Sequence, residues 1–175
     1  MHVGLISHLF LAALFLSSFH EAVPNTREQR NDLKNRYDSI EVRPFTIEPG
    51  VDLPPEYVQS MMAGVIMDLR RIKKFNYVFA PGDAKQGDTA RTIQLLGTVT
   101  QYKHGSRGKR FVALGLAGDT KIVAHVKFID RATGEVLVEA DVDGQIYTGL
   151  LGGSPKGAPS GVGKDVAKIA KKVFF

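Results

Sequence analysis

The sequence predicts an α+β fold, a two-layer sandwich in which a mixed five-stranded sheet carries two helices on one face, in the order β-α-β-β-β-α. Three observations lead there. Period-two alternation recurs in stretches bounded by glycine and proline. Two stripes of apolar residues at spacings of three and four mark two amphipathic helices. The first strand, helix and strand follow one another closely, as in a parallel crossover, and the later strands carry hairpin chemistry.

The elements follow in chain order. Ser39 to Ile47 reads SIEVRPFTI and alternates, with Pro44 arguing for an edge or a bulge. Pro54-Pro55 opens a helix, since proline suits a first turn. Val58, Met61, Met62, Val65, Ile66, Leu69 and Ile72 form its stripe, and the two methionines read as core filling. Tyr77 to Ala80 is a short second strand and Pro81 to Thr89 a loop. A third strand, Thr92 to Tyr102, is interrupted by Gly97, and a fourth spans Thr120 to Asp130. The turn Asp130-Arg131-Ala132-Thr133-Gly134 has Asp to begin it and Gly for a left-handed closing position. The fifth strand, Glu135 to Tyr147, presents Val136, Val138, Ala140 and Val142 to one face. After a glycine-rich connector, a last helix begins near Ser160. Val162, Val166, Ile169, Ala170 and Val173 line one side, and Lys171 and Lys172 in the last turn suit the helix dipole.

The 175 residues, 43% hydrophobic and 23% charged, suffice for one globular domain. With no cysteine, disulfides, thiolate catalysis and cysteine-bound metal are excluded. Residues 1–22 read as a signal peptide. The first twenty carry no Lys, Arg, Asp or Glu, and Leu9 to Leu16 (LFLAALFL) has the length of an exported leader's apolar core, short of the roughly 20 residues that span a bilayer. Leu16-Ser17-Ser18-Phe19 matches a bacterial lipobox except at Phe19, where the acylated cysteine would stand, so lipidation is not expected. Residues 23–38 read as a polar spacer and residues 39–175 as the single domain.

The chemistry is sparse. His2, His8 and His20 lie in the leader, which leaves His104 at a strand end and His125 pointing away from the core face. No serine has a triad setting, and no catalytic, cofactor or metal site is expected. Ala158 to Asp165 (APSGVGKD) approaches a phosphate-binding loop, but Asp165 replaces the magnesium-holding hydroxyl and no strand leads in. It reads as a glycine-rich helix entry. The net charge of +5 permits polyanion contact without demanding it. Lys103, Arg107, Lys109 and Arg110 fall within eight positions with no acid among them, and are the candidate contact to an anion or partner. Tyr102 and Phe111 only flank this cluster, so a nucleic-acid partner is not expected.

Gly97-Thr98-Val99-Thr100-Gln101-Tyr102, then Gly105-Ser106-Arg107 and Arg110, then Gly115-x-x-Gly118, form an ordered series. Val42-x-Pro44-Phe45 and the helix before Phe75 precede it. Asp130-x-x-Thr133-Gly134-x-Val136-Leu137 and Gly149-Leu150-Leu151-Gly152-Gly153 follow it. From about Tyr37 onward the chain resembles the bacterial family catalogued as domain of unknown function 4410. That resemblance implies a small envelope protein of a Gram-negative bacterium, usually a lipoprotein, and no reaction. The expectation is therefore a periplasmic, non-enzymatic binding or assembly module that meets an envelope protein partner or an anionic membrane surface, with homo-oligomers allowed. The alternative is an enzyme acting on a cell-wall or phospholipid substrate. A pocket with convergent polar groups and a perturbed carboxylate would favour the enzyme, a flat face with exposed apolar residues the module.

Overall fold

The structure, a computed structural model, describes residues 31–83, 89–103, 120–146 and 158–175. Six strands and two long helices follow in order: β1 (Ser39–Val42), β2 (Thr46–Ile47), α1 (Pro55–Arg71), β3 (Tyr77–Phe79), β4 (Thr92–Lys103), β5 (Thr120–Asp130), β6 (Val136–Ile146) and α2 (Ala158–Phe174). The sheet runs β3-β1-β4-β5-β6, with β2 joined to β4. The α+β sandwich and its mixed sheet are those expected. β1 pairs parallel with both β3 and β4, and β4, β5 and β6 form an antiparallel meander. No helix among the described residues is long and apolar enough to cross a membrane.

The expected first strand is two strands. Val42 lies opposite Leu95 and Thr46 opposite Thr98, so β1–β2 spends four positions where β4 spends three. Pro44, which has no N–H to donate, sits in the surplus. This break turns Phe45 inward. A Cβ at Gly97 would overlap the Phe45 ring, so Gly97 makes room for it. The strand expected to be interrupted there runs straight through from Thr92 to Lys103.

The fifth strand also differs from its reading. Phe128 pairs with Val138 but Ile129 with Val136, so Leu137 is an extra residue. The bulge leaves Val136 exposed and brings Leu137 into the core.

Both helices pack on one face. α1 contributes Met61, Val65 and Leu69; α2 contributes Val162, Val166, Ala170 and Phe174. These meet Ile40, Leu95, Ile122, Val126 and Phe128 of the sheet, all fully buried. Each such side chain contributes about 1.5–3 kcal/mol relative to an exposed one. The helices touch most closely at Gly64 and Gly163, where a Cβ on Gly163 would meet the Gly64 carbonyl carbon and oxygen at 2.7 Å. The segment that resembled a phosphate loop is thus helical from Ala158 onward, and its second glycine serves helix–helix contact.

The spacer reading ends too late. Leu33 and Tyr37 are buried, and Tyr37 packs edge-on against Phe174 at 5.8 Å. The Tyr37 hydroxyl donates to Asp130 Oδ2 at 2.7 Å. Asp130 Oδ1 accepts the N–H groups of Ala132 and Thr133, which holds the hairpin turn, and Gly134 takes φ 77° to close it. Burial, then the Asp130 hydrogen bond, pushes the Tyr37 hydroxyl well above its usual range. For Asp130, burial opposes ionisation, but hydrogen bonds from Tyr37, Thr133 and Ala132 outweigh it, and its carboxyl falls below the ordinary value.

Two outcomes follow. Gly163→Ala should destabilise by about 1–3 kcal/mol in urea titration, because the methyl has nowhere to go. An unhindered helical glycine would instead gain about 0.5–1 kcal/mol, so the sign is diagnostic. Tyr37→Phe should cost roughly 1.5–3 kcal/mol at pH 7, as it removes a donor from a buried charge. Asp130's depressed pKa stabilises the fold above its unfolded value near 4, and that stability drains as pH falls below about 4, so the mutant's deficit should shrink there. In the wild type, Tyr37's raised pKa makes stability fall once pH rises past about 10, where only the unfolded tyrosine ionises. Thermal melts across pH check both.

Candidate contact surfaces

Of the four predicted contact residues, Lys103 is described; Arg107, Lys109 and Arg110 lie outside the described residues, as do His104 and the leader. Lys103 is the exposed last residue of β4, opposite Lys121 on β5. Lys121 is balanced by Asp143 at 3.2 Å. Lys103 borders an open depression of about 550 Å³ with Gly50, Val51, Asp52, Thr100, Gln101 and Tyr102. A bulge between Val99 and Gln101 leaves Thr100 over, so that Tyr102, opposite buried Ile122, turns to the helix side. There it meets Tyr57, ring centroids 5.8 Å apart. Its hydroxyl is pushed up first by burial, then by Tyr57, and also by Glu56 and Asp52. Sequence spacing shows a cluster of cations without acids. The fold adds Asp52 to the edge of that depression, so the surface is mixed in charge.

His125 faces away from the core, as expected, and is half-buried. Its carboxylate neighbours come from the following strand. Its Nδ1 lies 2.8 Å from Asp141 Oδ1 and its Nε2 3.6 Å from Glu139 Oε2. The three groups come together because β5 and β6 are antiparallel, with His125 opposite Asp141. Lys127 Nζ adds a 3.0 Å bond to Glu139. That hydrogen bond, opposed by burial and reinforced by the charge of Lys127 and the bond to His125, holds the Glu139 carboxyl below its ordinary value. The two acids grip opposite ring nitrogens and do not converge on a point. Among the described residues, no group of three or more His, Asp or Glu could hold a metal ion.

A third arrangement had no local signal in the sequence. Glu41 is buried on β1 and accepts from Arg43 at 3.0 Å and Gln94 at 3.3 Å, with Arg131 at 3.5 Å. Beside it, Val42, Pro44, Phe79, Ala80 and Pro81 help to line a cavity of about 240 Å³ at the end of the parallel strands. Glu41 is tied to Arg43 and Arg131.

Residues 51–149 match the family described as Domain of unknown function (DUF4410), more than half the chain. The chain belongs to this family. The DUF4410 match spans α1 through β6 and leaves β1, β2 and α2 outside it. No curated protein matches the sequence. Among solved structures, a point variant of the PelC dodecamer from Paraburkholderia phytofirmans aligns at 16% identity, covering 80% of this chain and 88% of that one, with a TM-score of 0.51. A second crystal form of the PelC dodecamer aligns at 18% identity over 80% and 91%, TM-score 0.47. A lipoprotein from Neisseria meningitidis aligns at 18% over 76% and 98%, TM-score 0.45. The PelC variant's likeness shows a shared fold.

The β5–β6 charge row gives a direct test. In Lys127→Ala, the Glu139 carboxyl should titrate at higher pH than in the wild type, followed by carboxyl-carbon NMR. No upward move would mean that Lys127 is not what holds it down.

Proposed function

We propose that this DUF4410 chain is an exported, unlipidated envelope protein that works as a non-enzymatic binding and assembly module. Its contact surface is the Lys103 end of the sheet, continued in sequence by Arg107, Lys109 and Arg110, and its partner is an acidic protein of the envelope. The observation that carries this reading is the open groove beside exposed Lys103, a broad surface instead of an enclosed cleft. The apolar run Leu9 to Leu16 supports export, and Phe19 in place of the lipobox cysteine supports the lack of an acyl anchor. PelC, which shares the fold, is a dodecamer, and this favours assembly with further copies of the chain.

The test is a crosslinked pull-down from the native envelope, with fractionation and labelled palmitate. One stable partner should be captured, and Arg107→Ala with Lys109→Ala should weaken its capture by roughly tenfold or more, since the contact is charged and each decade is about 1.4 kcal/mol. Higher salt should have the same effect. A lipid-labelled or cytoplasmic product would remove the compartment. Release of fatty acid or cell-wall fragments by the purified chain would favour the enzymatic alternative.

A further inference from the structure

We propose that the end of the molecule opposite Lys103, where both helices terminate, docks on an anionic phospholipid surface. α1 and α2 run side by side in the same direction: Gly64 meets Gly163, and further along the rings of Phe75 and Phe175 stand 5.1 Å apart. The N-terminal segment closes over the same end, where Asn35 N–H donates to the Phe174 carbonyl at 2.8 Å. Three separate stretches of chain thereby bring exposed Lys34, Arg36, Lys73, Lys74, Lys171 and Lys172 to one pole. Lys74 lies 5.8 Å from the Phe175 ring and Arg36 5.5 Å from that of Tyr37. Nearby acids offset only part of this charge. Asp68 is buried on Arg71, Asp130 is buried between Tyr37 and Arg36, and Asp38 is bonded to Arg91, so Asp32 and Glu135, the latter close enough to act on Tyr37, are the exposed acids set against these cations.

Helix dipoles account for part of this charge, since cations in a last turn are favourable. They account for Lys171 and Lys172, but not for Lys34 and Arg36, which come from another segment, nor for Lys74 beyond the end of α1. Lys73 argues the point further. It has φ 50°, the left-handed position after a helix where glycine is usual. A lysine there strains the backbone and retains a charge.

The occupant follows from charge and from where the chain leads. Two half-buried phenylalanines among cations fit the boundary between lipid headgroups and acyl chains. The described chain begins at residue 31, at this pole, and the apolar run Leu9 to Leu16 precedes it.

Cosedimentation of the full chain with phosphatidylcholine vesicles, with and without phosphatidylglycerol, tests this. The first twenty residues carry no Lys, Arg, Asp or Glu, so the preference for the anionic vesicle does not come from the apolar leader, and the pole variants separate the pole from the Lys103 end. That preference should fall roughly tenfold or more in Lys73→Ala with Lys171→Ala. It should also collapse as salt shortens the screening length from about 10 Å at 0.1 M to about 3 Å at 1 M. Lys73→Gly should raise the melting temperature yet weaken the preference, which a purely structural lysine would not do. Lys164→Ala, an exposed cation in the first half of α2, should retain it. Equal binding to both vesicles, or binding unchanged in the double alanine variant, overturns the proposal. An equal loss in Lys164→Ala also overturns it, since it would mean attraction to net charge alone. The inference rests on the envelope reading only for the presence of a membrane. A chain that captures its partner but ignores anionic vesicles fails here alone; one that prefers them but is not exported fails only that reading.

Discussion

Asp130 ties the β5–β6 turn to Tyr37, 93 residues earlier in the chain. One carboxylate oxygen accepts from Tyr37 and the other fixes the β5–β6 turn through the Ala132 and Thr133 N–H groups. A charge this deeply buried is stable only while its donors remain in place. The turn geometry sets the register of β6, and the Tyr37 bond fixes the N-terminal segment on Phe174. The close of the core and the position of Asn35 beneath the end of α2 both follow from it.

Most elements were legible because each rests on a local signal. The stripe from Val58 to Ile72 and the alternation from Thr120 to Asp130 need no distant partner to be read. What failed was set by partners far away. Pro44 showed a break, but not that Phe45 would fill the space left by Gly97. Leu33 and Tyr37 lie in a polar stretch with no periodicity, and their burial depends on Phe174 and Asp130 from the other end of the chain.

The surfaces divide in the same way. Lys103 stands out as part of a basic run, while the acid beside it, Asp52, comes from the loop before α1. The two carboxylates of His125 lie on the following strand, beyond any local pattern around it. The doublets Lys73-Lys74 and Lys171-Lys172 were visible, and the second could be assigned to its own helix dipole. Only the side-by-side helices make the two doublets one surface.

The order of strands also bears on when this chain can fold. β1 emerges first, yet it belongs between β3 and β4, and Ser39 must wait for both Tyr77 and Thr92. Pairings between such distant segments are slow, because loop-closure entropy must be overcome before any contact compensates for it. The β4–β6 meander involves nearer neighbours, but its core face needs α2, which follows all of them in the chain. Phe174 covers both Tyr37 and Phe128. A nascent chain that lacks the last turn of α2 therefore has an open core, with Tyr37 and Phe128 uncovered. The fold cannot close stepwise behind the point of synthesis, because β1 waits for β4 and the sheet waits for α2.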